Sequence, residues 1–505
     1  MEIFAQDTWK VSHRLTLDYG LRYAYLGPTF TYGKLLANYF DPARYNPANA
    51  AVIQTASGLT QGSIIGGDPF NGLVQEGTNG IPAGYAKHRY NNFEPRFGFA
   101  YDAFGNGKTA IRAGAGIFHE RVRQNINSFD LLGNPPLSYT PQLFNGNIDT
   151  LSPALIASGT RFPVGINAFD RAGQVPTYYG YNLGLQQDLG HQIVFGATYV
   201  GNHGSHEQYQ VNLNQLPVGT TTTPQANGKT VLQNANGVSN AIVPYKGFSS
   251  IGYTLYGANS SYNSLQATIT RRFTRSLTLS ADYTWSKAID LTDDDNNTNE
   301  ILDTYHPKRD YAVAGWDRTN VANITYVYTA PDFRNRNALI HYGLGGWEIT
   351  GITRFWSGQP FTVTANGNAG TLGAGPRADY NGGGNLYPHR YNQWFNPFLF
   401  SRPLDGSLGN TGRNQFRQPG FQNWDVSLFK NFVFNESTRV QLRLETFNTF
   451  NHTEFGGLFT GINGPNPGSA PTAATSAASG TVGQSGAVAN TRDPRNVQIG
   501  GKFYF

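Results

Sequence analysis

The chain ends in VQIGGKFYF (residues 497–505), and this stretch decides the fold. Apolar and polar residues alternate along it at period two, up to an aromatic residue at the last position. A transmembrane β-strand needs this alternation, because one face meets lipid and the opposite face meets a wet interior. The side chains predicted to face lipid, in a last strand that directs barrel assembly, are Val497, Ile499, Phe503 and Phe505. The sequence therefore predicts a β-barrel of the bacterial outer membrane.

The composition of the whole chain agrees with one large, repetitive β-domain. The 505 residues include 60 Gly, 29 Tyr and 33 Phe, whereas charged residues make up only 14%. No run of about 18 apolar residues occurs, so no membrane helix is predicted. The mean hydropathy of −0.41 is compatible with a barrel, because lipid-facing residues occupy only every second position of a strand. We treat residues 1–505 as part of a single domain.

Charge and motif content argue against several other classes of protein. The 37 basic residues are scattered among 32 acidic ones, which disfavours a nucleic-acid partner. Cysteine is absent, so disulfides, thiolate nucleophiles and zinc–thiolate sites are ruled out. Neither G-x-S-x-G nor H-E-x-x-H occurs. We expect neither enzymatic activity nor a cofactor.

Thirteen segments show the alternation of a barrel strand. Short polar turns and long Gly-, Asn-, Pro- and Thr-rich stretches alternate between them, which is the asymmetry of periplasmic turns and extracellular loops. A slip of one residue would place charges in lipid, so the register is strongly specified. The predicted strands are 2–10, 14–26, 92–103, 108–119, 176–188, 191–202, 261–273, 275–287, 316–330, 345–357, 421–432, 438–449 and 494–505.

Charged residues inside these segments fall on the phase opposite to the apolar side chains. Mixed-sign charges in a lumen can hold a plug through charge-assisted hydrogen bonds, or line a path for a ligand. The alternative is a solvated lumen whose charges pair with one another. The candidates that face the lumen or a plug are Asp18, Arg22, Glu94, Arg96, Arg112, Asp282, Arg443 and Glu445.

Five tryptophans fall near the ends of predicted strands. An amphipathic ring at a strand end sits at the level of the lipid headgroups, so these residues predict a membrane girdle. The alternative is the general preference of aromatic residues for strands. The five are Trp9, Trp285, Trp316, Trp347 and Trp424.

One external loop concentrates carboxylates at Asp293, Asp294 and Asp295. Hard cations such as calcium take six to eight oxygen ligands, so a loop of this composition is a weak candidate for a metal site. The spacing lacks the central glycine of the EF-hand loop. A solvated loop tip is the favoured interpretation, and no metal is expected.

The number of strands has a consequence for completeness. Thirteen strands with this order of turns make the first and the last strand run in the same direction, whereas a single-chain bacterial barrel normally has an even number. An open sheet would leave unpaired backbone groups in hydrocarbon. No signal peptide precedes Glu2. We therefore expect the chain to be the carboxyl-terminal portion of a longer receptor.

Several blocks of sequence, in order along the whole chain, resemble the barrel of TonB-dependent receptors. The similarity is greatest to the Oar-like branch that is abundant in Acidobacteria. The blocks are FAQDTWK (4–10), LTLDYGLRY (15–23), YNSLQATITRRFTRSLTLSADYTWSKAID (262–290), WEITGITRFWSGQPFTV (347–363), FQNWDVSLFKNF (421–432), ETFNTFNH (445–452) and the terminal strand.

The resemblance implies a barrel of about 22 strands filled by an amino-terminal plug. It also implies energised uptake, in which a TonB box contacts the TonB–ExbB–ExbD complex and external loops capture a ligand. The expected partners are outer-membrane lipid, the absent strands and plug, TonB–ExbB–ExbD, the barrel-assembly machinery and an unknown ligand. No plug, signal peptide or TonB box is recognised in residues 1–505. The alternatives are a surface adhesin or an export and assembly protein of the Oar type, and a passive porin.

Overall fold

The alternating segments form long strands in the computed structural model of the protein. The description covers residues 1–28, 38–58, 61–75, 77–78, 80–81, 84, 86–122, 130–138, 149, 152, 161–272, 276–294, 298, 300–333, 335–434, 438–471 and 485–505. Asp295, one of the weak metal candidates, lies outside these residues. Within them, we find no helix with the length and apolar character needed to cross a membrane.

Thirteen strands follow one another in a continuous antiparallel sheet, in the order in which they occur in the sequence. The predicted number of strands and their antiparallel arrangement are confirmed. The strands are β1 Glu2–Lys10, β2 Leu15–Ala24, β3 Phe93–Asp102, β4 Thr109–His119, β5 Thr177–Gly190, β6 Ile193–Asn212, β7 Phe248–Arg272, β8 Leu277–Asp290, β9 Asn320–Thr329, β10 Trp347–Trp356, β11 Phe421–Val433, β12 Arg439–Phe447 and β13 Asn496–Tyr504.

Smaller elements lie in the connectors between these strands. The helices are α1 Asp130–Leu132, α2 Val231–Asn234 and α3 Ala338–Leu344, with 3-10 turns at Pro42–Arg44, Pro47–Asn49, Ser239–Ala241, Pro307–Asp310 and Pro397–Leu399. Paired short strands are Asn38–Phe40 with Leu73–Gln75, Val52–Ile53 with Ile64–Gly66, Pro360–Phe361 with Phe416–Arg417, Thr364–Ala365 with Gly461–Ile462, and Asp379–Tyr380 with Phe400–Ser401. Ala312–Val313 pairs with β8, and Val164–Phe169 pairs with β7.

The two ends of the sheet differ in the length of their connectors. The short turns lie at one end, together with the intermediate connector 330–346, which contains α3. The long connectors 25–92, 120–176, 213–247, 291–319, 357–420 and 448–495 lie at the other end. In bacterial outer-membrane barrels, the long connectors are extracellular. We call this end the outer mouth.

Strand register separates the two faces of the sheet. Leu428 of β11 pairs with Ile349 of β10 and with Leu444 of β12, so these three side chains form one apolar row. The next residues along each strand point the opposite way, because side chains alternate at period two. The apolar row is the outward, lipid-facing surface, and the polar row faces the interior.

The sheet is open in this chain. Among the described residues, β1 pairs only with β2 and β13 pairs only with β12, so the two edge strands do not meet. Their outer edges carry backbone groups that a closed barrel would pair.

The outer mouth has its own hydrophobic interior. One cluster, the first loop core, is formed by Tyr39, Phe40, Ile81, Ala86, Leu131, Ile166, Ala168, Phe169, Phe248 and Ile251. A second cluster, the second loop core, is formed by Phe361, Val363, Ala378, Phe395, Phe400, Phe416 and Ile462. The amide N–H of Leu216 donates to the Thr371 carbonyl over 2.8 Å, so connector 213–247 is bonded to connector 357–420.

The predicted strands 191–202 and 261–273 leave a loop over residues 203–260. This prediction was wrong at both ends of the loop. β6 continues to Asn212 and β7 begins at Phe248, so this hairpin rises well beyond the predicted strand ends. The local sequence is rich in Gly, Ser and Asn, which favours a loop. Packing of Val211 and Ile251, which are 1% and 0% exposed, supplies the stability that local propensity lacks.

Candidate functional site: the polar face and the outer mouth

The interior face of the sheet carries the eight charged residues that the alternation singled out. Asp18 and Arg22 of β2, Glu94 and Arg96 of β3, and Arg112 of β4 lie along three neighbouring strands. Asp282 lies on β8, and Arg443 and Glu445 lie on β12. The eight residues lie on one face of the sheet but do not form a single cluster. We call this charged face the polar wall.

Glu94 is the centre of the charged group on β2, β3 and β4. Its side chain is almost fully buried, and its carboxylate lies 3.7 Å from Arg22 Nε and 3.4 Å from Arg96 Nη2. The backbone N–H of His119 donates to Glu94 Oε1 over 3.0 Å. This carboxylate therefore ties three strands together, which favours the interpretation of charges paired with one another at this point.

The other charged residues predicted to face the lumen have fewer ion-pair partners than Glu94. Arg443 Nε donates to Gln441 Oε1 over 2.7 Å, and its guanidinium lies over the Phe429 ring. Arg112, Asp282 and Glu445 form no ion pair with any residue that the structure describes. Arg112 lines an inward groove of about 890 Å³ formed by β4, β5, β6 and β7. These charges remain available to a ligand or to a segment that enters the lumen.

A further ion pair on the same face was not predicted from the sequence. Arg354 Nη1 of β10 lies 3.0 Å from Asp425 Oδ2 of β11. Arg354 is opposite in phase to Ile349 along β10, and Asp425 is opposite in phase to Leu428 along β11, so period two places both charged residues on the inward phase. The pairing itself depends on a register between strands that are distant in sequence.

Four of the five tryptophans lie at two levels of the sheet. Trp9 and Trp347 lie at the short-turn end, whereas Trp285 and Trp424 point outward near the outer mouth. Trp424 contacts the rings of Phe355 and Phe450 at centroid distances of 5.3 and 5.4 Å. Trp316 lies in the connector before β9, which begins at Asn320 and not at the predicted residue 316. It is exposed and borders a cavity of the mouth.

The carboxyl-terminal strand presents its apolar residues on the outward face. Val497 and Ile499 continue the row of Thr446 and Leu444 on β12, and Phe503 continues that of Val440. Ile499 is 82% exposed at this open edge. Phe505 follows the last residue of β13 and stacks on Phe503 at a centroid distance of 5.8 Å.

A cavity of about 510 Å³ opens on the inner side of the outer mouth. Its walls carry Glu120, Tyr178, Glu207, Ser260 and Asp290. Burial raises the pKa of Glu207, although hydrogen bonds from the Ser260 and Tyr178 hydroxyls oppose the change. Burial likewise raises the pKa of Asp290 to about 6, against the opposing charge of Arg413. The cavity offers carboxyl and hydroxyl oxygens that accept hydrogen bonds from a ligand with N–H or O–H groups.

The acidic loop beside this cavity is held by arginine. Arg413 Nη1 lies 2.8 Å from Asp293 Oδ2, and Asn414 Nδ2 donates to the same oxygen over 2.8 Å. Arg413 also contacts the Asp290 carboxylate. These contacts join connector 291–319 to connector 357–420 and neutralise the Asp293 charge.

The weak metal candidates are not brought together as a ligand set within the described residues. The backbone N–H of Asp294 donates to Glu300 Oε2 over 3.0 Å. In the part of the chain that the structure covers, no three His, Asp or Glu side chains are grouped closely enough to share a metal ion. Asp293 instead serves as the partner of Arg413.

A family described as "Outer membrane beta barrel domain" matches residues 1–498. No curated protein matches the sequence.

Three solved structures illustrate the structural matches, and the present chain is covered over 100% of its length in each. The outer membrane transporter YddB from Escherichia coli has 10% identity and a TM-score of 0.45, with 54% of that chain covered. The FrpB iron transporter from Neisseria meningitidis has 12% identity and a TM-score of 0.40, with 44% covered. The ferripyoverdine receptor of Pseudomonas aeruginosa has 11% identity and a TM-score of 0.38, with 38% covered.

The chain thus spans about half the length of these proteins or less. Structural similarity at this level carries no functional argument, so the assignment depends on the family match and the amphipathic sheet. Both place the chain in the bacterial outer membrane. Because the match covers residues 1–498, the chain belongs to the outer membrane beta barrel domain family.

Proposed function

We propose that this chain is the carboxyl-terminal part of the barrel of a TonB-dependent, Oar-like receptor. In this proposal, the outer mouth captures a ligand. The ligand then passes along the polar interior face when TonB pulls on a plug that lies outside residues 1–505. The proposed partners are the additional strands and plug, the TonB–ExbB–ExbD complex, the barrel-assembly machinery and an unknown ligand. No catalytic role, cofactor or nucleic-acid partner is proposed.

The main support for the proposal is that the outer mouth has its own packed cores and lies above the polar wall. Phe248 and Phe400, one from each loop core, are both 0% exposed. Binding residues are commonly held on loops that a rigid scaffold positions, and a loop with its own core gives such a scaffold. A mouth built in this way suits capture of a ligand better than free diffusion.

The bonds between connectors support the same interpretation. Arg377 and Asp310 form a buried ion pair between connector 357–420 and connector 291–319. Arg413 links the same two connectors through Asp293, and it also contacts Asp290 at the end of β8. The cavity that contains Glu207 lies beside these links, so a change at the links would alter access to the interior.

A passive porin is one alternative, and liposome swelling distinguishes it. The complete gene product would be reconstituted in liposomes, and swelling would be measured in arabinose and raffinose. The proposal predicts no more swelling than with empty liposomes. Swelling that depends on solute size would overturn the proposal in favour of a porin.

A surface adhesin or an export and assembly protein is the second alternative. The complete gene product would be tested for binding to the purified periplasmic domain of TonB from the same bacterium. The proposal predicts saturable binding that is lost when the region upstream of residue 1 is removed. The absence of binding would contradict energised uptake and favour the adhesion or assembly role.

A further inference from the structure

The connector between β9 and β10 differs from the other connectors at the short-turn end, because it contains helix α3 (Ala338–Leu344). The Asn337 side chain caps the helix by accepting from the Ile340 N–H over 2.9 Å. The Gly345 N–H donates to the His341 carbonyl over 3.1 Å and closes the last turn. The helix is thus a defined element.

Two outward-facing side chains fasten the end of this helix to the sheet. Trp347 Nε1 donates to the Gly343 carbonyl over 2.9 Å. Lys430 Nζ donates to the Gly345 carbonyl, and it lies 5.0 Å from the centre of the Trp347 ring. Trp347 and Lys430 pair across β10 and β11 in the row that continues with Ile349 and Leu428. The end of the helix is therefore held on the lipid-facing side of the sheet and not under the lumen.

One side of α3 is apolar and uncovered, because Leu339 and Tyr342 lie one turn apart on the same side of the helix. Leu339 is 86% exposed, Leu344 is 62% exposed and Tyr342 is 48% exposed. The polar His341 side chain is turned to the connector, where its Nδ1 lies 2.8 Å from the Asp332 carbonyl. Large apolar side chains that point away from the protein are stabilised when an apolar neighbour covers them.

We propose that α3 lies in the membrane interface at the short-turn end and inserts Leu339 and Tyr342 into the phospholipid leaflet there. Two observations identify lipid as the occupant. The helix end is continuous with the lipid-facing row through Trp347 and Lys430, a pair of residue types that favours membrane interfaces. Arg336, exposed just before the helix, supplies a positive charge for phospholipid phosphates.

The inference is tested by spin labelling, since the native chain has no cysteine. Single cysteines at Leu339 and Tyr342 would carry a nitroxide, in the complete protein assembled in outer membranes. Accessibility to oxygen and to a water-soluble nickel chelate would be measured by electron paramagnetic resonance. Leu442, which is outward on β12, is the lipid control, and Leu404, which is exposed in a connector of the outer mouth, is the water control.

The proposal predicts that the labels at 339 and 342 favour oxygen over the nickel chelate, as the label at 442 does. Labels that behave like the one at 404 would place the helix in water. Labels shielded from both reagents would show that protein covers the helix. Either result would overturn the proposal. All four positions are exposed, so the substitutions leave the packed cores unchanged.

Discussion

Glu94 shows how a single residue on the interior face organises its surroundings. Its carboxylate accepts from the His119 N–H and lies near Arg22 and Arg96, so the charge is shared among three strands. Removing one partner of a buried, hydrogen-bonded charge is more destabilising than removing an exposed one, because the remaining groups lose their compensation.

We predict that Glu94→Ala lowers the free energy of unfolding by about 1–3 kcal/mol, since the two arginines that it contacts are partly solvated. The matched control is Glu2→Gln, because Glu2 contacts the same Arg22 from an exposed position. The control should change the free energy by less than about 0.5 kcal/mol. Urea unfolding in lipid vesicles measures both, and an unchanged midpoint for Glu94→Ala would contradict the role of this carboxylate.

Asp290 gives the outer mouth a dependence on pH. Burial raises its pKa from 3.8 to about 6. The folded mouth therefore takes up a proton that the unfolded chain does not, in the window between these values. The contribution of this group to stability is fully present below about pH 4 and is lost as the pH rises to about 6.

We predict that amides of connector 357–420 near Arg413 open less readily at pH 4.5 than at pH 7, and that Asp290→Asn reduces this difference. Glu207 lies in the same cavity with a raised pKa, so Asp290→Asn/Glu207→Gln should reduce it further. Hydrogen exchange, corrected for the intrinsic rate at each pH, gives the opening free energies. Asp405→Asn, at an exposed ion pair, is the control. If the double variant kept the full wild-type difference between pH 4.5 and pH 7, this assignment would be refuted.

At the residue scale, alternation assigns the charges to one phase of their strands, and their contact with a lumen or a plug stays a prediction. Alternation could not predict partners, because the contact of Glu94 with His119 depends on how β3 and β4 are aligned. The pair Arg354 and Asp425 was missed for the same reason. The ion pair between Asp293 and Arg413 joins residues that are 120 positions apart in the sequence. The composition of a loop does not predict such a contact.

At the scale of elements, the hairpin of β6 and β7 departs most from the expectation. Its outer part pairs Gln210 with Thr254 and receives Val164–Phe169 as a parallel strand. Parallel addition of a segment from a different connector cannot be predicted from local periodicity. The membrane-level strands, in contrast, were predicted because lipid requires an apolar residue at every second position.

The first loop core can be tested separately from the barrel. Phe248 is 0% exposed and contacts the Phe40 ring at a centroid distance of 5.3 Å. We predict that Phe248→Ala costs about 3–5 kcal/mol of local stability through the cavity that it creates. Protease added outside intact cells should then cleave connector 213–247, while the barrel keeps its heat-dependent shift in gel mobility.

Phe398→Ala is the matched control, because this ring is 49% exposed in another connector of the outer mouth. It should leave the protease pattern of connector 213–247 unchanged. Resistance of Phe248→Ala equal to that of the wild type would show that the first loop core does not hold the mouth. Loss of the whole barrel would show that mouth and barrel do not fold separately.

At the scale of the whole molecule, the thirteen-stranded sheet was predictable, with short turns at one end and long connectors at the other. Its open edges agree with the argument from strand number. The family match assigns this sheet to the outer membrane. The number of strands in the complete barrel, the plug and the ligand stay predictions, because no contact among the residues that the structure describes specifies them.

The central claim is that lipid and water touch opposite faces of the same strands. A scan of single cysteines along β8, from Leu277 to Thr284, tests it most directly in intact outer membranes. The account predicts that a charged thiol reagent modifies positions 278, 280, 282 and 284 and spares 277, 279, 281 and 283, with a lipid-soluble maleimide giving the reverse. Equal modification of neighbouring positions, or a period other than two, would contradict the account.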